Sequence, residues 1–291
     1  MNILVTGSSG FLGKSILERL SFNKNIRITG TYRKEKPNVI KENLNYLYLP
    51  DLEESLVTEI LKSQSFDLLI HCAWEGLPDR SPEITKQNLE KSKMLFNVYL
   101  KHGGKNLIAF GSSLENLILN PSKRTLIKSD DYFFGRYKAE LLRFLKNSKA
   151  NFIWIKPYFL YGKNQHKFSL LNMAIENLCS DISWMRDPCL VNDFTYIEDL
   201  SEFIYELIND SKIEMKEFDF GTGIGISNKD FVNEIRGLIG LKKYEFDCLI
   251  PTNRFVANNE NVLLSFPNYR FRNIQVGLQN TLSSLGFSCK L

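Results

Sequence analysis

Three glycines near the start constrain this chain more than any other feature. Gly7, Gly10 and Gly13 follow the apolar run Ile3-Leu4-Val5 directly and precede a segment of helical period over 15–20. A short, wholly apolar run of this kind suits a strand buried on both faces of a parallel sheet. The unit of strand, glycine turn and helix needs each glycine for its own reason. Gly7 permits a tight turn, Gly10 lets the backbone approach a pyrophosphate, and Gly13 lets strand and helix pack closely. The helix N-terminus then offers unpaired N–H groups and the positive end of its dipole to the phosphates. Ser9, Phe11 and Leu12 fill the loop between the glycines and belong to the same expected site. A glycine pattern alone says little, but the strand–turn–helix context points to dinucleotide binding.

Further apolar runs at 26–32, 46–49, 68–73, 107–110 and 152–155 predict strands, and segments at 53–62, 85–101 and 137–145 predict helices between several of them. This alternation implies an α/β fold, a Rossmann-type doubly wound parallel sheet with helices on both faces. Beyond residue 160 the alternation loosens, with helices expected at 170–179, 199–208, 227–239 and 274–285 and a strand at 218–220. Residues 1–160, joined by about 193–220, are therefore expected to form the dinucleotide-binding domain. Segments 161–192 and 221–291 would form a smaller C-terminal substrate-binding lobe.

Composition serves mainly to exclude. The formal net charge is only +4, from 37 Lys+Arg against 33 Asp+Glu. With no block of five basic residues, neither nucleic acid nor a membrane surface is expected as a partner. The five cysteines are odd in number and scattered without a CxxC pair, so neither a disulfide framework nor a zinc site is expected. His71, His102 and His166 are isolated, and no metal site is expected. The N-terminus lacks a basic, then apolar, leader. No apolar run reaches the roughly 20 residues of a membrane span. A cytoplasmic protein is expected.

The end of the second predicted strand bears on which dinucleotide binds. An acid there would accept the adenosine ribose 2′-hydroxyl, whereas an arginine accommodates a 2′-phosphate. The chain reads Thr31-Tyr32-Arg33-Lys34 with no acid before Glu35. Arg33 thus favours NADP(H) over NAD(H).

Together with the glycine loop, Pro50-Asp51-Leu52, His71-Cys72-Ala73-Trp74, Gly111-Ser112-Ser113, Lys156-Pro157-Tyr158-Phe159-Leu160-Tyr161-Gly162, Asn192-Asp193-Phe194 and Phe220-Gly221-Thr222-Gly223 occur in characteristic order. In this the sequence resembles the extended short-chain dehydrogenase/reductases that act on nucleotide-linked sugars. The resemblance implies that Asp51 and Leu52 contact the adenine, that Cys72, Ala73 and Trp74 lie beside the nicotinamide, and that Tyr158 also meets the cofactor. It implies a serine hydroxyl at Ser112, with Ser113 the alternative, to polarise the reacting oxygen. It also implies a Tyr-x-x-x-Lys pair in which the lysine lowers the tyrosine pKa and holds the nicotinamide ribose. Lys138 is present, but Phe134 occupies the tyrosine position.

Phenylalanine can neither donate nor accept a proton. The chain is then an inactivated form of an active enzyme, or one in which Tyr132 or Tyr137 substitutes, or one that works or merely binds without the phenol. Helical geometry disfavours the substitutes, since position 132 points away from 134 and 137 sits a turn further along. The resemblance also bears on reaction type. Dehydratases of the family carry an acidic pair after the catalytic hydroxyl; here only Glu115 follows, which argues against elimination. Phe159 stands where many epimerases and dehydratases carry Asn. The subgroup most similar is that of 4-ketosugar reductases, with Trp74, Ser113, Glu115, Phe159 and Arg254 expected to meet a nucleotide diphosphate sugar. Lys163, Lys167 and Arg186 are weaker diphosphate candidates. An epimerase that retains NAD and a silent dinucleotide-binding protein are the alternatives, and a homodimer is expected by resemblance alone.

Overall fold

A computed structural model describes residues 1–118, 129–210, 216–245, 248 and 252–289, except for the side chains of 252–255. Its centre is a sheet of β1 (Asn2–Thr6), β2 (Arg27–Tyr32), β3 (Leu44–Tyr48), β4 (Leu68–His71), β5 (Asn106–Phe110), β6 (Asn151–Pro157) and β10 (Lys216–Phe220). These strands lie in the order β10-β6-β5-β4-β1-β2-β3, and each pairing from β3 through to β6 is parallel. This is the doubly wound arrangement. The order reverses between β1 and β4, and in such sheets ligands bind in the crevice beyond the carboxyl ends of the strands at that point.

β4 is buried along its whole length, as expected of a strand covered on both faces. On one face α2 (Glu54–Ser63), α3 (Pro82–Lys101) and α5 (Ser129–Lys146) turn apolar stripes inward. Leu61, Leu95, Phe96, Tyr99, Leu141 and Leu145 pack there with Leu69, Leu107, Phe152 and Trp154 of the strands. Elsewhere in this unit, Arg19 of α1 (Phe11–Leu20) pairs with Glu202 of α7 (Ile197–Asn209) and lies 3.5 Å from the centroid of the Tyr205 ring. Helix α5 begins well before the predicted 137, so Phe134 and Lys138 share one helix face at a spacing of four residues. The five-residue α4 (Leu114–Ile118) was not expected from the sequence.

The chain divides into two compact units, Met1–Lys156 with Ser201–Phe218, and Pro157–Leu200 with Asp219–Leu291. Residues 157–160, 193–200 and 219–220, grouped with the first domain in the sequence-based division, fall in the second unit. That unit pairs β7 (Phe159–Tyr161) with β9 (Phe194–Tyr196). A second small sheet there holds β11 (Ile226–Ser227), β8 (Leu190–Asn192) and β12 (Thr252–Phe255). The Phe231 ring of α8 (Asn228–Leu238) stacks on Phe194 at 4.0 Å. Asp193, fully buried, accepts from the N–H groups of Thr222 (2.8 Å), Gly223 (2.8 Å) and Ala257 (3.1 Å) and from Thr222 Oγ1 (2.7 Å).

One expectation about cysteine is corrected. Cys189 and Cys248 form a disulfide across 59 residues with a Cα–Cα distance of 5.4 Å. Their separation in sequence gave no hint that folding brings the two segments together. Cys72, Cys179 and Cys289 are free.

Candidate active site

Gly7 turns the chain at the end of β1 with φ +69°, in the left-handed region that favours glycine. A side chain at Gly7 would meet the Ala73 backbone at 2.7 Å, and one at Gly13 would meet Gly7 O at 2.3 Å. Two of the three glycines are thus required by packing within the protein itself. Gly10 differs. Both Ser9 and Gly10 are exposed, and Gly10 caps α1 without any side chain bonding to the first-turn N–H groups. A helix that opens on Phe11, Leu12 and Gly13 with no side chain capping its first-turn amides fits an anionic phosphate group. Ser8 secures the loop from behind: its N–H and its Oγ both donate to Thr31 O, at 3.0 and 2.8 Å.

The neighbouring strand ends carry the other expected cofactor residues of the first unit. Asp51, after β3, accepts from Leu52 N–H (2.7 Å) and Lys91 Nζ (2.5 Å). Burial opposes its ionisation, but Lys91 and the Leu52 amide outweigh that and hold its pKa below the usual carboxylate value. Arg33, after β2, is paired with Glu75 at 2.6 Å, and Lys91 lies 3.7 Å from the same carboxylate. Neither Glu75 nor Lys91 was expected from sequence, because only the strand order brings three separate strand ends and α3 together.

At the end of β4, His71 is buried and bonded on both sides, Nδ1 to Thr6 Oγ1 (2.7 Å) and Nε2 to Ser92 Oγ (2.9 Å). Burial raises the pKa of the Cys72 thiol, so that residue stays a protonated, weakly polar lining group. Trp74 offers its ring face to Lys138 Nζ, 3.4 Å from the centroid, and meets the Phe134 ring edge-on at 5.8 Å.

Lys138 is only 6% exposed, and its Nζ donates to Phe110 O at 2.8 Å. Burial lowers its pKa to about 7 against the opposing pull of Glu115 and Cys72. Phe134, also buried, places its ring centroid 5.8 Å from that ammonium. Arg80, which pairs with Asp131, lies 5.3 Å from the same ring. Neither tyrosine proposed as a substitute turns to this cluster: Tyr132 and Tyr137 both pack on Phe133.

Ser112 and Ser113 precede α4, after β5. Ser112 Oγ accepts from Leu114 N–H at 3.2 Å and so keeps its own proton available to donate. Ser113 is buried. Glu115, expected to face the substrate, is 2% exposed and engaged on both oxygens. Its Oε1 accepts from Ser112 N–H (2.7 Å) and its Oε2 from Trp154 Nε1 (3.1 Å). Burial raises its pKa to about 7, opposed by these donors and by Lys156 and Lys138. Glu115 therefore braces the serine turn from inside the protein.

The residues gathered at the sheet edge all belong to the first unit. In the second, Tyr158 is buried and its N–H donates to Phe220 O at 3.0 Å, while Phe159 is exposed and packs against Phe194. The backbone of Arg254 lies in β12, but its side chain falls outside the described ones. Among the described residues there is no cluster of His, Cys, Asp and Glu able to hold a metal ion, and no helix long and apolar enough to cross a membrane.

Comparison with known proteins gives this arrangement its family. The profile of the NAD dependent epimerase/dehydratase family matches residues 3–218, and the chain belongs to that family. Among curated proteins it is 23% identical over 298 residues to CDP-abequose synthase of Salmonella typhimurium, covering 89% of this chain and 90% of that protein. Among solved structures it is similar to UDP-glucose 4-epimerase of Thermotoga maritima with UDP-glucose, with a TM-score of 0.77 and 19% identity over 98% of this chain and 99% of that one. It is likewise similar to dTDP-glucose 4,6-dehydratase of Bacillus anthracis in complex with NAD, with a TM-score of 0.80 and 17% identity over 98% and 96% of the two chains. These structural likenesses establish the shared fold.

Proposed function

We propose that this protein reduces a 4-keto group on a nucleotide-linked deoxysugar, using NADPH. The observation that carries the reading is the state of Glu115, the one carboxylate that follows the serine turn closely. It is sealed in hydrogen bonds to Ser112 and Trp154, so it is not free to work as one of the acid–base pair that eliminating water requires. A reduction needs no such pair. The curated relative named for a CDP-linked sugar supports a nucleotide-sugar substrate, and Arg33 supports a cofactor with a 2′-phosphate.

A dinucleotide held by its pyrophosphate at the glycine loop, with Cys72, Ala73 and Trp74 beside its nicotinamide, would supply the hydride. Ser112 Oγ would donate a hydrogen bond to the sugar carbonyl oxygen and so stabilise negative charge developing there. Lys138, held by Phe110 O and the Trp74 face, adds positive charge to the same surroundings. Phe134 contributes shape without a proton, so the alkoxide left by hydride addition would take its proton from water. Nucleotide diphosphate binding falls to cations of the second unit, with Arg254 the first candidate, and two copies of the chain assemble as a dimer.

The test is Phe134→Tyr, assayed by NADPH oxidation with a panel of 4-keto sugar nucleotides. A large gain over the parent identifies the parent as a form that lacks its proton donor. Equal turnover by both shows that the chain works without the phenol. Stoichiometric NAD released on denaturing the purified protein would instead favour an epimerase. A second reading, cofactor binding without catalysis, is favoured by Phe134 itself; it predicts tight dinucleotide binding and no turnover even in Phe134→Tyr.

A further inference from the structure

Arg33 follows β2 and Glu75 lies four residues beyond the end of β4, and in the sheet β1 runs between those two strands. Their 2.6 Å ion pair therefore spans the carboxyl end of β1, the strand that delivers the glycine loop. Glu75 is firmly placed by its backbone, since its N–H donates to Asn88 Oδ1 (2.8 Å) and its carbonyl accepts from Asn88 Nδ2 (3.0 Å). Lys91 of α3 links the pair to Asp51 beyond β3, standing 3.7 Å from Glu75 and 2.5 Å from Asp51. Two cations and two carboxylates thus line the edge where the adenosine half of a dinucleotide belongs.

We infer that Glu75 tempers the preference for NADPH by occupying Arg33, so that an adenosine 2′-phosphate gains Arg33 only by displacing the Glu75 carboxylate. The inference rests on the cofactor reading above. A 2′-hydroxyl carries no charge and leaves the Arg33–Glu75 pair in place. A 2′-phosphate brings two negative charges close to Glu75 and Asp51, and it is stabilised to the extent that Arg33 turns to it as a bidentate donor. Glu75 acts as a competitor for the cation that the 2′-phosphate needs. Both side chains of the pair are nearly half exposed, so the competition is modest, about two- to fivefold in affinity.

The experiment titrates purified protein with NADPH and with NADH, following nicotinamide fluorescence, for the parent, Glu75→Gln, Arg33→Ala and the double variant. Glu75→Gln is expected to tighten NADPH about two- to fivefold while NADH changes less than about 1.5-fold. Arg33→Ala is expected to weaken NADPH selectively, and in the double variant the gain from Glu75→Gln disappears. The gain also shrinks in high salt, as an exposed charge effect must. If Glu75→Gln fails to tighten NADPH, or shifts both cofactors alike, while Arg33→Ala still weakens NADPH, the role of Glu75 is overturned and the NADPH reading stands. If Arg33→Ala leaves the NADPH-to-NADH ratio unchanged, both fall together.

Discussion

Lowering the pH tests how the edge of the sheet around His71 is held together. Ser92 Oγ donates to Asn88 O at 2.7 Å, so toward His71 it acts as an acceptor, which places the ring proton on Nε2. Nδ1 is then bare and accepts from Thr6 Oγ1. The ring is neutral, satisfied at both nitrogens and 4% exposed. Burial, with the positive charge of Lys138 adding to it, lowers its pKa from 6.5 to about 3. A base whose pKa is depressed by folding contributes stability that is complete above its unfolded pKa and is lost as pH falls toward its folded one. At pH 5 the unfolded imidazole has passed its pKa by about 1.5 pH units while the folded ring is still neutral. At about 1.4 kcal/mol per pH unit this costs about 2 kcal/mol relative to pH 7.5. Glu115 acts in the opposite sense: its raised pKa penalises the fold as pH rises from 4.5 through about 7, and that penalty is relieved on acidification. A single stability curve would blend the two. The difference between the parent and His71→Asn removes what they share. Urea unfolding of both proteins at pH 7.5 and pH 5.0 is expected to show the parent's advantage shrinking by about 2 kcal/mol. An advantage that is the same at both pH values would refute the argument that a neutral, doubly bonded ring is built into this strand end.

Three further outcomes follow from the geometry. Gly13→Ala places a Cβ 2.3 Å from Gly7 O, a backbone atom that cannot swing aside; thermal melting should show a loss of about 1–3 kcal/mol, and dinucleotide titration should show binding reduced with it. Glu115→Leu strands the Ser112 N–H and the Trp154 Nε1–H, each costing about 1–3 kcal/mol, partly offset because a carboxyl is no longer buried; urea unfolding at pH 7.5 is expected to give a net loss of about 2 kcal/mol. The Cys189–Cys248 bridge closes a 59-residue separation, for which chain entropy allows up to about 4 kcal/mol. A reductant should therefore lower the melting temperature of the parent and leave that of Cys189→Ser unchanged.

What could be read from the sequence was decided within a few residues. The glycine loop is set by one strand end and one helix start, and Phe134 with Lys138 by one helical turn; both are found in the structure at those spacings. What could not be read depends on elements far apart in the chain. Arg33 meets Glu75 only because β1 lies between β2 and β4. Asp193 gathers donors from Thr222, Gly223 and Ala257, and a lone acid in an Asn-Asp-Phe run carries no local sign of doing so. The strands of the second unit are two to four residues long, too short for a period of two to register. Glu115 was misplaced for a different reason. Spacing put it beside the serines correctly, but whether a side chain two places along a short helix turns outward or under its own N-terminus is a packing outcome. Trp154 of β6 offers the donor that draws it inward.

The same packing gives the missing phenol a consequence beyond the loss of a proton donor. A tyrosine at 134, whose ring centroid would stand 5.8 Å from the Lys138 ammonium, would add an oxygen that, once ionised, offsets part of that charge. With phenylalanine there, the polar contact of Lys138 is the Phe110 carbonyl, supplemented by the Trp74 face. Those contacts do not match the cost of burying the charge, and the lysine pKa falls to about 7. Glu115, buried by the adjoining turn, also reaches about 7. Two groups that are normally ionised across the physiological range thus both titrate near neutrality within one sheet edge. Phe134→Tyr would therefore alter more than one group: it would supply an oxygen able to move a proton, and it would favour the charged form of the lysine beside it.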